Sequence, residues 1–561
     1  MKIKPFLGLI SMALCFGAVA KSAVAKPTVV KNIQGYTLVS GSAVTQPKWH
    51  SFSTLVFDNG KVVATGDATL AAKYNDSRII DGKNQYLLPG MTDAHGHILS
   101  LGFGKLSIDV RGLASAGDTV QAVQAYAKKH PQLSWIKGRG WNQELWASRQ
   151  YPQAKDLDEY LNDRPVWLKR VDGHAGWANQ KALAFAGITK DTLDPDGGAI
   201  IRDAAGEPTG ILIDNAMDLL ENKMPKPTVA ETQVALDLAM DHLLSLGITS
   251  VHDAGIKHST YDLYKYNAKN NKLNLRIYGM VDALTPKLFQ VLEQGHIKDS
   301  KDMLSIRSVK LSVDGALGSR GAALLKPYSD KPGATGLMLV SQPQMSLIFE
   351  QVLKHNFQLN VHAIGDKGNQ LVLDHFEHAY KGQSNGRLLR NRIEHAQVVA
   401  LSDIPRFKTL NIMPSMQQTH ATSDMNMAKD RVGAQRLKGA YAWQTFLKQG
   451  SRIAGGSDFP VELANPFFGL HAAVTRQNRE NQPKSGWIPQ EAMTTAQALT
   501  SFTLDAAYAA HQDDVLGSLE KGKWADFILV DKDVFNAPAN ELWQTKVLQT
   551  WVGGELKYKA Q

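Results

Sequence analysis

Residues 86–97 decide the fold of this chain, and they read YLLPGMTDAHGH. An apolar run that ends in two histidines is typical of a buried strand whose last side chains leave the sheet. Residues two apart on a strand point to the same face, so His95 and His97 project together. Two neutral imidazoles placed this way can bind one metal ion. A pair of surface histidines would have the same spacing, so the interpretation needs support from the rest of the chain.

Further strand candidates follow along the chain, and helical segments separate them. The eight candidates are 86–93, 247–252, 275–281, 307–313, 358–363, 391–395, 410–415 and 452–457. Alternating strands and helices predict a parallel α/β architecture, and eight such strands are the number in a (β/α)₈ TIM barrel.

The gap between the first two candidates is too long for one helix, and it contains a strand candidate of its own at 165–171. We therefore expect an inserted subdomain at about 105–240, within a barrel that spans 89–510. Both ends of the chain contain short strand patterns, with an Asn-Gly hairpin signal at 59–60. The segments 26–88 and 511–561 are predicted to form a small composite β-sandwich.

The N-terminus has the pattern of a secretory signal peptide. Lys2 and Lys4 precede an apolar run, and Ala-x-Ala sites end at Ala20 and Ala25. Cleavage near Ala20 or Ala25 would send the protein to the periplasm or outside the cell; a buried N-terminal helix is the alternative. We take 1–25 as the signal peptide.

Composition excludes several functional classes. The net charge of +9 is scattered over 561 residues, without a basic-aromatic stripe, zinc-finger spacing or Walker loop, so nucleic acid is not an expected partner. No apolar run after the N-terminus approaches the roughly 20 residues of a membrane span. The only cysteine is Cys15, so the mature chain would have no disulfide and no thiolate ligand. The expected partner is a small-molecule substrate; a homo-oligomer stays open.

Three later strand candidates also end in side chains that could bind a metal. His362 and His395 close two of them, and Asp458 follows the last. Taken singly, each histidine could belong to the core, and the aspartate could cap a helix. Together with His95 and His97 they lie where barrel enzymes keep their active sites, at the carboxyl ends of the strands.

Lys310 lies inside an apolar strand, where an uncompensated ammonium would be costly. An ion pair with Asp314 or Asp458 would explain it. The alternative that we favour is a neutral amine that reacts with CO₂ to give a carbamate, an anionic ligand able to bridge two metal ions.

These residues resemble the metal-dependent amidohydrolase superfamily, and within it the YtcJ-like branch (amidohydrolase family 3), which includes N-substituted formamide deformylases. The resemblance runs from about residue 50 to about residue 555. The supporting stretches are WIKGRGW at 135–141, DGHAGWAN at 172–179, DGALGSR at 314–320, QQTH at 417–420, GGSDFPVE at 455–462 and GSLEKG at 517–522.

The resemblance implies a distorted TIM barrel, a small β-sandwich from both termini, and two divalent metal ions. His95, His97 and Asp458 would hold the more buried ion, and His362 and His395 the more exposed one. Carbamylated Lys310 and a hydroxide would bridge them, and Asp458 would act as general base and then acid. Zinc is the expected metal, although His and carboxylate ligands also suit Mn, Co, Ni or Fe.

Substrate binding depends on residues outside this set. The candidates are His174, Arg320, His420 and Trp141, each with a structural role as its alternative. The favoured function is hydrolysis of a carbon–nitrogen bond other than a peptide bond, in an amide or N-formyl compound, by a metal-activated hydroxide. Two alternatives stay open: a mononuclear deaminase or ester or carbamate hydrolase on the same fold, and a non-catalytic periplasmic binding protein.

Overall fold

Eight parallel strands form the centre of the molecule in the computed structural model, which describes residues 26–39 and 41–561. In chain order, barrel strands 1 to 8 are Met91–Gly96, Ile248–Ile256, Arg276–Asp282, Leu304–Ser312, Gln358–Ala363, Arg392–His395, Met413–Gln417 and Ala454–Gly456. Each strand pairs with the next, and a parallel bridge between Gly96 and Phe459 joins the two edges. The predicted (β/α)₈ barrel is confirmed. A short strand, Ile297–Lys298, pairs antiparallel with strand 4.

The predicted strand at 86–93 is divided in two at Gly90. Residues before it belong to Arg78–Pro89 in the terminal sheet, and residues after it form barrel strand 1. A Cβ atom at Gly90 would lie 2.3 Å from the side chain of Thr249, so the chain can pass from one sheet to the other only without a side chain there.

Asp93 joins the first and last barrel strands. Its carboxylate accepts hydrogen bonds from the Ser457 hydroxyl at 2.6 Å and from the backbone N–H groups of Ser457 and His95, each at 3.1 Å. A Cβ atom at Gly456 would lie 2.7 Å from the backbone nitrogen of His95, so the close approach needs glycine. The closure brings the histidines of strand 1 beside Asp458.

Helices surround the barrel and bury their apolar faces against it. Val229–Ser245 begins with a capping box between Thr228 and Glu231 and buries Leu236, Met240 and Leu243. The other helices outside the insert are Ile98–Lys105, His258–Lys269, Leu288–Gln294, Gln342–Lys354, Asp366–Gly382, Ile404–Leu410, Gln418–Asp424, Ala428–Arg436, Trp443–Lys448, Pro466–Thr475, Thr495–Ser501 and Leu504–Ala509. Short 3₁₀ helices are Ala68–Lys73, Gln143–Leu145, Asn215–Met217, Ser384–Leu389, Leu437–Gly439, Pro489–Glu491 and Ala539–Gln544.

The segment between barrel strands 1 and 2 forms a six-stranded sheet of its own. Its strands are Ile108–Asp109, Ile136–Trp141, Val166–Arg170, Ala175–Ala178, Gly198–Arg202 and Pro208–Asp214. Its helices are Ala116–Lys129, Ala154–Asp158, Gln180–Ala186 and Asp218–Glu221. Trp141 and Trp177 are buried in its interior.

The two ends of the described chain share one seven-stranded sheet. Its strands are Thr28–Leu38, Trp49–Asp58, Lys61–Gly66, Arg78–Pro89, Phe527–Val530, Val547–Val552 and Glu555–Lys559. The sheet folds over on itself, because Val62 exchanges backbone hydrogen bonds of 2.8 Å with Gly522 and Lys523. The expected sandwich is thus one continuous sheet closed over a core that includes Leu55 and Phe527.

The predicted signal peptide, residues 1–25, lies outside the described residues. Within the part of the chain that is described, no helix combines the length and the apolar character that crossing a membrane requires.

Candidate active site

All six predicted ligands line one cavity of about 870 Å³ at the carboxyl ends of the barrel strands. They are His95, His97, Lys310, His362, His395 and Asp458. Because the carboxyl ends of parallel strands meet at one end of a barrel, residues far apart in sequence converge there.

Strand 1 and the loop after strand 8 provide three of these side chains. His97 Nε2 lies 3.0 Å and His95 Nε2 3.7 Å from Oδ1 of Asp458. Their ligand atoms all lie within 4.8 Å of one another, which is compact enough for one metal ion. Asp458 has a φ of 58°, a strained conformation of the kind that clusters at functional sites.

The neighbouring histidines stabilise the ionised form of the Asp458 carboxyl. Burial by itself would raise the pKa of its carboxyl, but the hydrogen bond from His97 and the nearby His95 and His395 lower it well below the ordinary value. Asp458 is therefore a carboxylate at neutral pH.

A buried carboxylate orients His95. Glu394 Oε2 lies 2.5 Å from His95 Nδ1, so Nε2 is the atom that faces the cavity. Burial would raise the pKa of Glu394, but His95 and Arg392 hold it below its ordinary value. Burial also lowers the pKa of His95, which favours the neutral imidazole that binds metals.

The second histidine pair lies on strands 5 and 6. The rings of His362 and His395 have centroids 4.4 Å apart, and His395 Nδ1 lies 2.8 Å from Oε1 of Gln417. Burial lowers the pKa of both histidines well below the ordinary value, so both are neutral. His362 Nε2 is buried without a hydrogen-bond partner and lies 3.5 Å from Oδ1 of Asp314.

Lys310 lies on strand 4 with only 6% of its surface exposed. Burial lowers the pKa of its ammonium, although the charges of Glu394 and Asp458 oppose the shift. No carboxylate among residues 26–39 and 41–561 lies within 4.0 Å of its nitrogen, so the ion pair considered from sequence is absent there. Asp314 instead accepts backbone hydrogen bonds of 2.8–2.9 Å from Ala323, Ile364 and Gly365.

Two of the four substrate-binding candidates line the same cavity. His420 Nε2 lies 3.6 Å from Oδ2 of Asp458, and His420, His395 and Asp458 form a second group compact enough for a metal ion. His174 projects from the insert, and its ring centroid lies 5.5 Å from that of His362.

The other two candidates lie elsewhere. Arg320 pairs with Asp330 at 2.9 Å and lines a separate cavity of about 460 Å³. Trp141 is 1% exposed, and its Nε1 donates to the Leu168 carbonyl at 2.8 Å within the insert. The packing of the insert, rather than substrate contact, accounts for Trp141.

Three residues of the site were not identified as candidates from sequence. Glu394 carries a faint signal, since it is a charged residue in an apolar strand next to His395. Asp214 contacts His174 through Oδ1 and Nδ1 at 2.6 Å, and Arg139 lines the cavity from the insert. Nothing in their local sequence shows that they face the barrel.

Known proteins are similar to this chain in sequence. A model of the amidohydrolase family matches residues 78–558. The putative amidohydrolase YtcJ of Bacillus subtilis (strain 168) is 30% identical, over 90% of this chain and 95% of that protein. The N-substituted formamide deformylase of Arthrobacter pascens is 26% identical, over 89% and 93% of the two chains.

The structural comparison agrees. An uncharacterized metal-dependent hydrolase from Pyrococcus horikoshii OT3 superposes with a TM-score of 0.73 and 28% identity, covering 92% of this chain and 99% of that one. The resemblance proposed from the sequence motifs is confirmed, and the chain belongs to the amidohydrolase family.

Proposed function

We propose that the protein is a metal-dependent hydrolase that cleaves a carbon–nitrogen bond, other than a peptide bond, in a small amide or N-formyl compound. The observation that carries this proposal is the convergence of four imidazoles, one ionised aspartate and one desolvated lysine in a single cavity. The similarity to a formamide deformylase supports the choice of bond.

The side chains fit divalent metal ions. His95 Nε2 and His362 Nε2 are buried and have no hydrogen-bond partner in the described part of the chain, which leaves their lone pairs available. His95, His97 and Asp458 would hold one ion, and His362 and His395 a second, with Lys310 between them. His420 is a further ligand candidate, because it forms a compact group with His395 and Asp458.

Bound divalent ions would supply an activated water molecule and polarise the substrate carbonyl. Asp458 then transfers a proton from the water molecule to the leaving group. As an ionised carboxylate in the cavity, it accepts a proton from the attacking water at a carboxylate oxygen and delivers it to the leaving nitrogen. His97 Nε2 and Asp458 Oδ1, 3.0 Å apart, would both face the same ion, so the carboxylate stays beside the activated water.

Lys310 contributes through its low proton affinity. A neutral amine is the form that reacts with CO₂, and burial lowers the lysine pKa toward that form. The resulting carbamate would place an anion in a cavity wall that holds no carboxylate within 4.0 Å of the nitrogen in the described chain.

His174 is proposed to bind the substrate carbonyl. Asp214 accepts its Nδ1–H, so Nε2 is left toward the cavity that His174 lines. Burial alone would lower the pKa of His174, but the Asp214 carboxylate raises it, which favours an imidazole able to donate a hydrogen bond.

The first test is metal content by ICP-MS together with the native intact mass. Two ions per chain and a CO₂ adduct that disappears in Lys310→Gln are expected. The same preparation is then assayed for formate release from N-formyl amines and for amine release from N-acetyl amines.

Asp458→Asn should lower turnover by at least about 100-fold while the chain stays folded. One ion and an unmodified Lys310 would favour the mononuclear alternative. A protein that binds no metal after supply of zinc and bicarbonate would overturn the proposal.

A further inference from the structure

Arg139 is a half-buried cation of the cavity wall, and it has no acidic partner among residues 26–39 and 41–561. It lies on the insert strand Ile136–Trp141, and its Nε and Nη2 atoms both donate to the Val171 carbonyl, at 3.2 and 2.8 Å. In the described chain, no carboxylate oxygen lies within 4.0 Å of its guanidinium.

The neighbouring arginines of the same wall are paired. Arg111 Nε donates to Asp109 at 2.9 and 3.0 Å. Arg170 pairs with Asp172, and its other nitrogens donate to Gln143 at 2.8 Å and Asn142 at 2.9 Å. Arg139 therefore differs from these two arginines of the cavity wall, each of which pairs with an aspartate.

The surroundings of Arg139 make an unpaired charge unfavourable. Burial lowers the pKa of its guanidinium, while the more distant charges of Asp458 and Asp172 act in the opposite direction. A partly desolvated guanidinium without a direct ion pair binds an anion favourably, because the new charge-assisted hydrogen bonds replace the water that it has lost. Arg139 and Asp458 line the same cavity, so an anion bound at Arg139 would share that cavity with the predicted metal ligands.

The backbone holds the guanidinium in one orientation. The Val171 carbonyl occupies one edge, and no other described residue accepts a hydrogen bond from Nη1 or from the second hydrogen of Nη2. Gly173 lies beside that face, and a Cβ atom there would come within 3.1 Å of Nη2. Because residue 173 is glycine, no side chain of that residue covers Nη2.

We infer that Arg139 binds a carboxylate of the substrate, so that the preferred substrates are N-formyl or N-acyl amino acids rather than uncharged amides. The inference rests on the proposed function and narrows it to a substrate class. In the reaction, water adds to the acyl carbon and the C–N bond breaks. The acyl group leaves as a carboxylic acid, and the nitrogen leaves as the amine of a free amino acid after gaining a proton.

The test compares two substrates that differ only in the carboxylate: N-formylphenylalanine, as both enantiomers, and N-formyl-2-phenylethylamine. The wild-type holoenzyme should prefer the acid in kcat/KM. Arg139→Gln should lower kcat/KM for the acid by about 10–100-fold, the loss of a hydrogen-bonded charge contact, and leave the neutral compound nearly unchanged.

Two further variants separate binding from folding. Arg139→Lys keeps the charge but not the forked geometry, so it should retain part of the preference. Arg111→Gln removes a paired arginine of the same wall and should keep the full preference. Equal kcat/KM for the two compounds in the wild type, or an unchanged preference in both Arg139 variants, would overturn the inference.

A binding measurement keeps the inference separate from the proposed function. Calorimetry with 3-phenylpropionate and 3-phenylpropanamide reports carboxylate recognition even if neither formyl compound is hydrolysed. Tighter binding of the acid that disappears in Arg139→Gln supports the role of Arg139. If the acid and the amide bind alike, Arg139 does not recognise a carboxylate, whatever the turnover assays show.

Discussion

His95 Nδ1 and Glu394 Oε2 lie 2.5 Å apart, joining barrel strands 1 and 6 across the floor of the cavity. Their side chains are 1% and 0% exposed, so water does not compete for this contact. A carboxylate on Nδ1 fixes the imidazole tautomer and makes Nε2 a better ligand. The position of the metal site therefore depends on a residue that does not itself face the metal.

Glu394→Gln should weaken metal binding by about 10–100-fold, because the amide cannot replace the charge that orients His95. The measurement is competition with a chelator, followed by ICP-MS. Glu491→Gln is the matched control: Glu491 is also buried, but it accepts from Thr445 away from the cavity. Equal metal affinity in the two variants would show that the His95 contact is not needed.

The contact between His174 and Asp214 gives the second prediction. His174→Ala should lower kcat by about 10²–10³-fold, the loss of one hydrogen-bond donor to the reacting carbonyl, with metal content unchanged. Asp214→Asn should lower kcat less, because the ring stays in place but its tautomer is no longer fixed. These kcat values are measured on the best formyl or acyl substrate found.

Asp214 packs against two glycines of the loop that follows barrel strand 4. Cβ atoms at Gly315 and Gly321 would lie 2.6 and 2.5 Å from its Oδ2 atom, so a larger side chain at position 214 would not fit, whereas asparagine keeps the size. Asparagine has nearly the same shape as the aspartate that already adopts a φ of 49° and a ψ of −125° there, so the exchange adds no backbone strain. An unchanged kcat in His174→Ala would exclude a role for the dyad in the reaction.

The barrel could be predicted because most of its strands contain apolar residues and alternate with helical segments along the chain. The predicted strand 358–363 coincides with Gln358–Ala363, and 275–281 differs from Arg276–Asp282 by one residue at each end. The error at 86–93 has a physical cause. Residues 86–89 and 91–93 are separated only by Gly90, and the strand pairing is what assigns them to different sheets: 86–89 pair with Phe527–Val530, and 91–93 with barrel strand 2.

The site was predictable where a residue's position on a strand decides which way it faces. His95, His362 and His395 are of this kind, since strand ends meet at one rim. The partners of these residues were not predictable, because Glu394 is 299 residues from His95. The same limit applies to Arg320, whose partner Asp330 lies in the same irregular loop. A loop has no periodic sequence pattern from which the direction of its side chains could be predicted.

The junction between barrel and terminal sheet supports a prediction about stability. Arg276 on strand 3 donates to both carboxylate oxygens of Asp526, at 2.6 and 2.9 Å, and the two side chains are 2% and 8% exposed. Arg276→Met should lower the free energy of unfolding by about 3–5 kcal/mol, because it leaves a buried carboxylate unpaired. Urea unfolding measures the change.

The double variant Arg276→Met/Asp526→Asn should recover much of that loss, since no unpaired charge is left. Arg149→Met is the control, because Arg149 and Asp430 are more than half exposed and 3.7 Å apart, and its cost should stay below about 1 kcal/mol. If the double variant were as unstable as the single one, the lost charge pairing would not be the cause.

His511 makes stability depend on pH. Burial, helped by Arg307, lowers its pKa from 6.5 to about 4 in the folded protein, where Nε2 lies 2.9 Å from the Leu389 carbonyl. Between pH 6.5 and 4 the unfolded chain binds a proton that the folded chain does not, so stability rises with pH across this window and falls on acidification.

His511→Asn should therefore reduce the slope of the unfolding free energy against pH between pH 4 and 6.5. The reduction corresponds to at most one proton taken up on unfolding. Asparagine suits the left-handed φ of 56° at this position, so the backbone should not be strained. Urea unfolding at a series of pH values, with the wild type measured alongside, gives the difference in slope. His378→Asn, on the exposed face of the helix Asp366–Gly382, is measured alongside as a surface histidine variant. Equal slopes in the wild type and His511→Asn would mean that His511 is protonated as readily in the folded chain as in the unfolded one.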